Sequence, residues 1–389
     1  MSASVSLGFV PLVDAAPLIV ARELGFAREA GLSIDLHRAA SWSMWRDMLD
    51  VGQVDAAQML SVVPVARALG LGGGHVRLEA PMVLSLNGEI LGVSQHLARR
   101  LRATGGAVRF GDAAGLGAAL SGIEGPLRIG VPFTFSMHTE LLQYWIAAAA
   151  PSAKAEIVTV PPPRMAAALQ AGEIDGFCVG EPWGSHAVEV AGAELLLAGS
   201  SIWTQAPEKV LAMRSGWAET HPDLAGRLIR ALWRACRWVG DPANRLTASE
   251  ILSWRAHLDL SPDLIDRALT GRLLMTAAGP ETPVPQFLTF HDGAANFPWR
   301  SQAAWIGARL ARRFGLDPDR AQADARATFR SDLYRRFLGD SGVPFPRSSD
   351  KAEGIPPSAE AVPAVHGTVT LMRNRFFDGQ IFDPAVPVR

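Results

Sequence analysis

The sequence predicts an α/β protein of two similar lobes joined by crossing strands, and three observations carry that reading. Strand and helix signals alternate through the first 90 residues, and the same alternation resumes after residue 125. The two series also echo each other: MLDVGQVDAAQML (48–60) and ALQAGEIDGFCVG (168–180) each end a helix, pass a glycine and an Asp, and enter a short apolar run. Alternation of this kind builds parallel strands with helices laid over them. A chain of 389 residues also exceeds what one hydrophobic core usually organises.

In the first series the strand signals are VSLGFVP, SIDLHRA and DAAQML, and the helix signals are AAPLIVARELGFAREAG, SMWRDMLDVGQ and VPVARALGLGG. Leu18, Ile19, Ala21 and Leu24 give the first helix one buried face, and Gly25 and Gly31 punctuate it. VRLEAPMVLSLNGEIL (76–91) reads as a pair of strands or a crossing connection. The Gly- and Ala-rich stretch 103–125 reads as a flexible insertion or irregular helix. The second series follows as LRIGVP, HTELLQYWIAAAA, AEIVTVP, PRMAAALQAGEID, GFCVGEP and AVEVAGAELLLAG. Residues 217–240 read as one amphipathic helix with Pro222 in its first turn, residues 246–340 as further helices, and 341–389 as a Pro-rich tail with a mobile middle.

Composition excludes several functions. With 48% hydrophobic and 19% charged residues and a net charge of −1, the chain folds readily but carries no basic excess for nucleic acid or anionic lipid. Cys178 and Cys236 stand 58 residues apart with no CxxC or Cys/His cluster, so buried reduced thiols are expected, with no metal and no cofactor. The opening stretch has no Lys or Arg before its first apolar run, unlike a secretory signal, so the expected location is cytoplasmic. No nucleophile–base pair or phosphate loop is apparent, and a binding protein is expected rather than an enzyme.

Nine stretches together resemble one family. GFVPLVDAAPLIVARELGF, ASWSMWRDML, GQVDAAQML, LSLNGE, HTELLQYWIA, PPPRMAAALQAGEIDGFCVGEPW, PEKVLAMR, NFPWRSQAAWI and FFDGQIFDPAVP stand in order over nearly the whole chain. In that order they resemble the nitrate- and bicarbonate-binding proteins related to ABC-importer components, and their cytoplasmic nitrate/nitrite-sensor relatives of the NasS type. The resemblance implies a periplasmic-binding-protein-like fold of type II. Its first lobe would hold residues 1–89 and 204–340, its second 90–203, with 341–389 a C-terminal extension packing back at its end. It implies a ligand cleft between the lobes, where strand carboxyl ends and helix amino ends converge and favour anions.

The resemblance also implies site residues. Trp42, behind a capping Ser41, would donate its indole N–H, and His138 would donate from a strand–helix junction, although Ser136 and Met137 replace the family's Gly-Thr-like pair there. Lys209 stands where lysine accompanies nitrate and glutamate accompanies bicarbonate; its charge would match a monovalent anion, and Lys209→Glu is expected to abolish binding while sparing the fold. Glu89 stands where nitrate importers carry Gln, which leaves three outcomes: it turns away, pairs with a cation, or is protonated. Asp14, Gln58 and Glu181 are second-tier candidates with turn or cap roles ahead of ligand roles, and Glu208 is assigned at most a turn-capping role. The implied function is a cytoplasmic nitrate or nitrite sensor that controls an ANTAR-type RNA-binding antiterminator, without touching RNA itself. The alternative is the solute-binding component of a nitrate or bicarbonate ABC importer.

Overall fold

A computed structural model describes residues 3–386 apart from Ala40 and Ala107. Ten strands build its two main sheets: β1 Ala3–Phe9, β2 Leu32–Arg38, β3 Ala56–Leu60, β4 Leu78–Asn87, β5 Glu89–Val93, β6 Pro126–Val131, β7 Lys154–Thr159, β8 Gly176–Gly180, β9 Glu194–Ala198 and β10 Pro207–Arg214. The first sheet runs β4-β10-β3-β1-β2, extended at the β4 edge by the short strand Leu288–Thr289, and the second runs β7-β6-β8-β5-β9. β1 is parallel to β2 and β3, and β6 is parallel to β7 and β8. The strands that enter from the other lobe, β5 and β10, run antiparallel to their neighbours β8 and β3.

The crossing falls at one dipeptide. Asn87 ends β4 with φ of +57° and Gly88 follows at +99°, a left-handed turn that Asn and Gly adopt at little cost. The Asn87 side-chain amide donates to the Thr204 carbonyl at 2.8 Å, tying the outgoing crossing to the return. Every residue of β4 and β5 is buried, as strands covered on both faces must be.

Three sequence expectations change. The Gly/Ala-rich stretch contains a regular helix, Ala113–Ser121, started by Asp112, whose carboxylate accepts from the Gly115 amide at 2.9 Å. Its Gly117 leaves no room for a side chain against Ala149 of the neighbouring helix, so the small residues serve close packing rather than flexibility. The helix expected over 217–240 breaks into Trp217–Thr220 and Pro222–Gly240 at His221, because proline disfavours helical backbone in the residue before it. Residues 272–299 are strands and loops rather than helix. There the Met275 carbonyl accepts from the Leu195 amide of the second sheet, although 204–340 was assigned to the first lobe.

The tail is packed rather than mobile. Its strands Glu360–Pro363 and Thr368–Leu371 pair as a hairpin, and Glu353 is wholly buried. That carboxylate accepts from Ser301 Oγ at 2.6 Å and Asn374 Nδ2 at 2.8 Å and pairs with Lys351. Asn374 in turn accepts the Trp203 indole N–H at 2.7 Å, so the extension is bolted to the return crossing. Glu353→Ala is expected to cost about 3 kcal/mol, since it strands several buried donors at once; urea unfolding of the variant against the parent measures it.

Candidate functional site

Seven candidate residues come from separate elements, and the topology brings most of them to one place. Asp14 lies in the turn after β1, Trp42 opens the helix Trp42–Asp50 after β2, and Gln58 is on β3. Lys209 is on β10, all in the first lobe. Glu89 opens β5, His138 is the second residue of the helix Met137–Ala149, and Glu181 follows β8, all in the second. These are the carboxyl ends of parallel strands and the entry points of the two crossing strands, where open α/β sheets bind ligands.

Lys209 is the centre. Its side chain is fully buried, its Nζ lies 2.7 Å from Asp14 Oδ2, it pairs directly with Glu208, and it sits 5.3 Å from the Trp42 ring centroid. Burial opposes its charge, but Asp14 and Glu208 outweigh that and hold its pKa above the ordinary lysine value. Lys209 is therefore already compensated, which corrects the expectation that Lys209→Glu spares the fold: glutamate there would join Asp14 and Glu208 with no cation between them.

Glu208 was not expected in the site. Its Oε1 lies 3.0 Å from His138 Nδ1, which joins a first-lobe strand to a second-lobe helix. Consecutive residues on a regular strand face opposite ways. Here the pairing of β10 with β4 shifts register on both sides of Lys209, and such a bulge lets neighbouring side chains converge. Burial works to raise the Glu208 pKa, but Lys209 and His138 reverse this and bring it down to about 2.

Asp14 is more than a cap. Burial raises its pKa to about 6 against the pull of Lys209, with Glu208 adding to the rise. Gln58 holds it in place: its amide nitrogen donates to Asp14 Oδ1 while its oxygen accepts from the Val10 amide at 2.9 Å. Glu181 stands apart in role, accepting from the Ser185 amide at the start of the helix Trp183–Ala191. Ser136 explains the departure before His138, since its hydroxyl accepts from the Thr139 amide and caps that helix.

Three of the candidates carry buried polar atoms that find no hydrogen bond in the protein. They are the Trp42 indole nitrogen, the Nε2 nitrogen of His138, whose Nδ1 meets Glu208 Oε1, and both carboxyl oxygens of Glu89. Trp42 differs in this from Trp45, Trp145, Trp183 and Trp203, whose indole N–H groups donate to Phe9, Ala113, Pro11 and Asn374. Buried donors without partners cost about 1–3 kcal/mol each, and a ligand that accepts from them relieves that cost. Gly180 packs closely beside them: a Cβ there would lie 2.6 Å from Leu12 Cδ2, 3.7 Å from His138 Nε2 and 3.8 Å from Asp14 Oδ2. Among the described residues, no three His, Cys, Asp or Glu side chains are arranged to hold a metal ion.

The lobes are closed over this cluster. Arg313, on the first-lobe helix Arg300–Phe314, donates to Glu140 Oε1 at 2.8 Å and to the Thr134 carbonyl at 3.0 Å on the second lobe. With every cluster residue buried, entry of a ligand requires the lobes to part.

Two α/β lobes, two crossing strands and a buried polar cluster between them define a solute-binding protein fold. The chain belongs to the NMT1-like family, whose model matches residues 1–253. It is 33% identical to the nitrate import ATP-binding protein NrtC of Synechocystis over 99% of this chain and 54% of that protein, and 28% identical to the nitrate/nitrite binding protein NrtA of Nostoc over 98% and 83%. It thus spans about half the length of the NrtC proteins it matches. The crystal structure of the periplasmic nitrate-binding protein NrtA from Synechocystis superimposes with a TM-score of 0.82 at 25% identity, covering 98% of this chain and 96% of that one. Within the family, the chain is NrtA/CmpA-like.

Proposed function

We propose that the chain binds nitrate or nitrite in the cleft between its lobes. The observation that carries this reading is the pair of unpartnered buried nitrogens, Trp42 Nε1 and His138 Nε2, in the cluster around Lys209 at the lobe junction. A small planar oxyanion has acceptors on every side and no donor, so a site that binds it must supply donors and exclude water. Trp42 and Lys209 approach from the first lobe and His138 from the second, so the anion links the lobes and favours the closed state.

The finer reading is a cytoplasmic sensor in which anion-driven closure alters the surface presented to an ANTAR-type RNA-binding antiterminator. It rests on the sequence resemblance. The second reading, delivery of the anion to an ABC importer, is favoured by the structural likeness to periplasmic NrtA.

Calorimetric titration at neutral pH with nitrate, nitrite, bicarbonate and sulfate tests the anion assignment. Nitrate or nitrite is expected to bind with Kd of order micromolar, about −8 kcal/mol, and sulfate not at all; silence with both nitrogen oxyanions at millimolar concentration would overturn it. Co-purification with and without nitrate tests the sensor reading, which expects a bound protein to be released by the anion.

A further inference from the structure

Glu89 is the residue the anion reading does not absorb. It is wholly buried at the start of β5, directly opposite Gly180 on β8, and neither carboxyl oxygen is hydrogen-bonded. Its carboxyl lies over Gly199, where a Cβ would overlap it, so the missing side chain at Gly199 leaves the space that Glu89 fills.

The groups around it are fixed by the topology. Glu208 and Lys209 on β10 and Asp14 in the turn after β1 act on its charge through space, as it acts on Cys178 of β8, and His138 on the Met137–Ala149 helix meets Glu208. Lys209 is already shared by Asp14 and Glu208, so an ionised Glu89 would be an uncompensated third carboxylate. Nitrate brings a further negative charge and only acceptor oxygens. An ionised carboxylate is also acceptor-only, whereas a neutral carboxylic acid has one O–H donor.

We propose that Glu89 binds the anion as the neutral acid, donating its hydroxyl proton to a ligand oxygen, so that above the pH where Glu89 ionises in the empty protein each anion enters together with one proton from solvent. This rests on the oxyanion reading and makes Glu89 a specificity determinant of that site. Burial, reinforced by Glu208, raises its pKa to about 8, which places the ionisation within reach of experiment. The neighbours titrate elsewhere: Glu208 at about 2, Asp14 at about 6, His138 below its ordinary value, Lys209 and Cys178 above theirs.

The linkage has a definite sign. The anion favours the protonated form, so its affinity is level just below about pH 8 and falls about tenfold per unit above it. The test is calorimetry of the full chain with sodium nitrate, from about one unit below that value to about one and a half above, in two buffers of different ionisation heat. Proton uptake should approach one per nitrate at the alkaline end, and the infrared difference spectrum there should show the carbonyl stretch of a neutral carboxylic acid. In Glu89→Gln, nitrate affinity should lose its pH dependence and the infrared band should vanish. If that variant does not bind, the proton count and band of the parent protein still decide. Nitrate binding with no proton uptake, or binding that strengthens with pH as an ionised Glu89 holding a cation would give, overturns the proposal alone. No heat with either nitrate or nitrite at any pH overturns the anion reading and the proposal with it.

Discussion

Lys209→Met is expected to destabilise the protein by about 3–5 kcal/mol and to abolish nitrate binding. Lys209 is the single cation between Asp14 and Glu208, and all three side chains are buried. Removing one partner of a buried ionic set leaves the others uncompensated, which costs far more than the intact set contributes. Methionine keeps the length and apolar stem of lysine, so the loss reports charge rather than volume. The penalty should shrink as pH falls. Without the ammonium, both carboxyls take up protons more readily in the folded than in the unfolded chain, so the folded variant gains stability in acid. Urea unfolding of parent and variant at neutral pH and at about pH 5 measures this, and equal stability at neutral pH would contradict the compensated-lysine picture.

His138→Ala is expected to weaken nitrate binding by about 10–100-fold, the worth of a hydrogen bond to a charged ligand at 1.4 kcal/mol per decade. Glu208 holds the ring through Nδ1 at 3.0 Å, which leaves Nε2 without a partner in the protein and available to a ligand. His138→Gln, which restores an N–H donor, should recover part of the loss. Affinity unchanged in the alanine variant would remove His138 from the site. A Glu208→Gln variant adds a useful contrast, because it keeps the His138 side chain but removes the charge of the carboxylate that holds its Nδ1.

Much of the architecture was legible because it rests on local periodicity. The alternation of apolar runs with helical stretches, and the echo of Gln53-Val54-Asp55 in Glu173-Ile174-Asp175, both report supersecondary units that recur in the two lobes. Trp42, His138 and Lys209 were reached through family resemblance, since nothing in the spacing of three residues so far apart places them together. Glu208 was missed for a physical reason: strand alternation turns it away from Lys209, and the bulge that brings both inward depends on pairing between β10 and β4, which sequence periodicity does not encode. Asp14 was ranked as a turn residue because its partner, Lys209, lies 195 positions away and meets it only across the first sheet.

The tail and the Gly/Ala-rich stretch misled for a related reason. Proline and glycine argue for irregular chain when read locally. In the fold, the prolines of the tail accompany the buried Glu353–Ser301–Asn374 network, and Gly117 allows two helices to touch. Composition reported the local backbone and was silent on the tertiary partner.

The crystal structure of the protein grown with nitrate is expected to show one planar anion between the lobes, within hydrogen-bond distance of Trp42 Nε1, a His138 ring nitrogen and a Glu89 oxygen, next to Lys209. Nitrate bound elsewhere on the molecule, or a cleft holding no anion under conditions where solution titration is saturated, would contradict that placement.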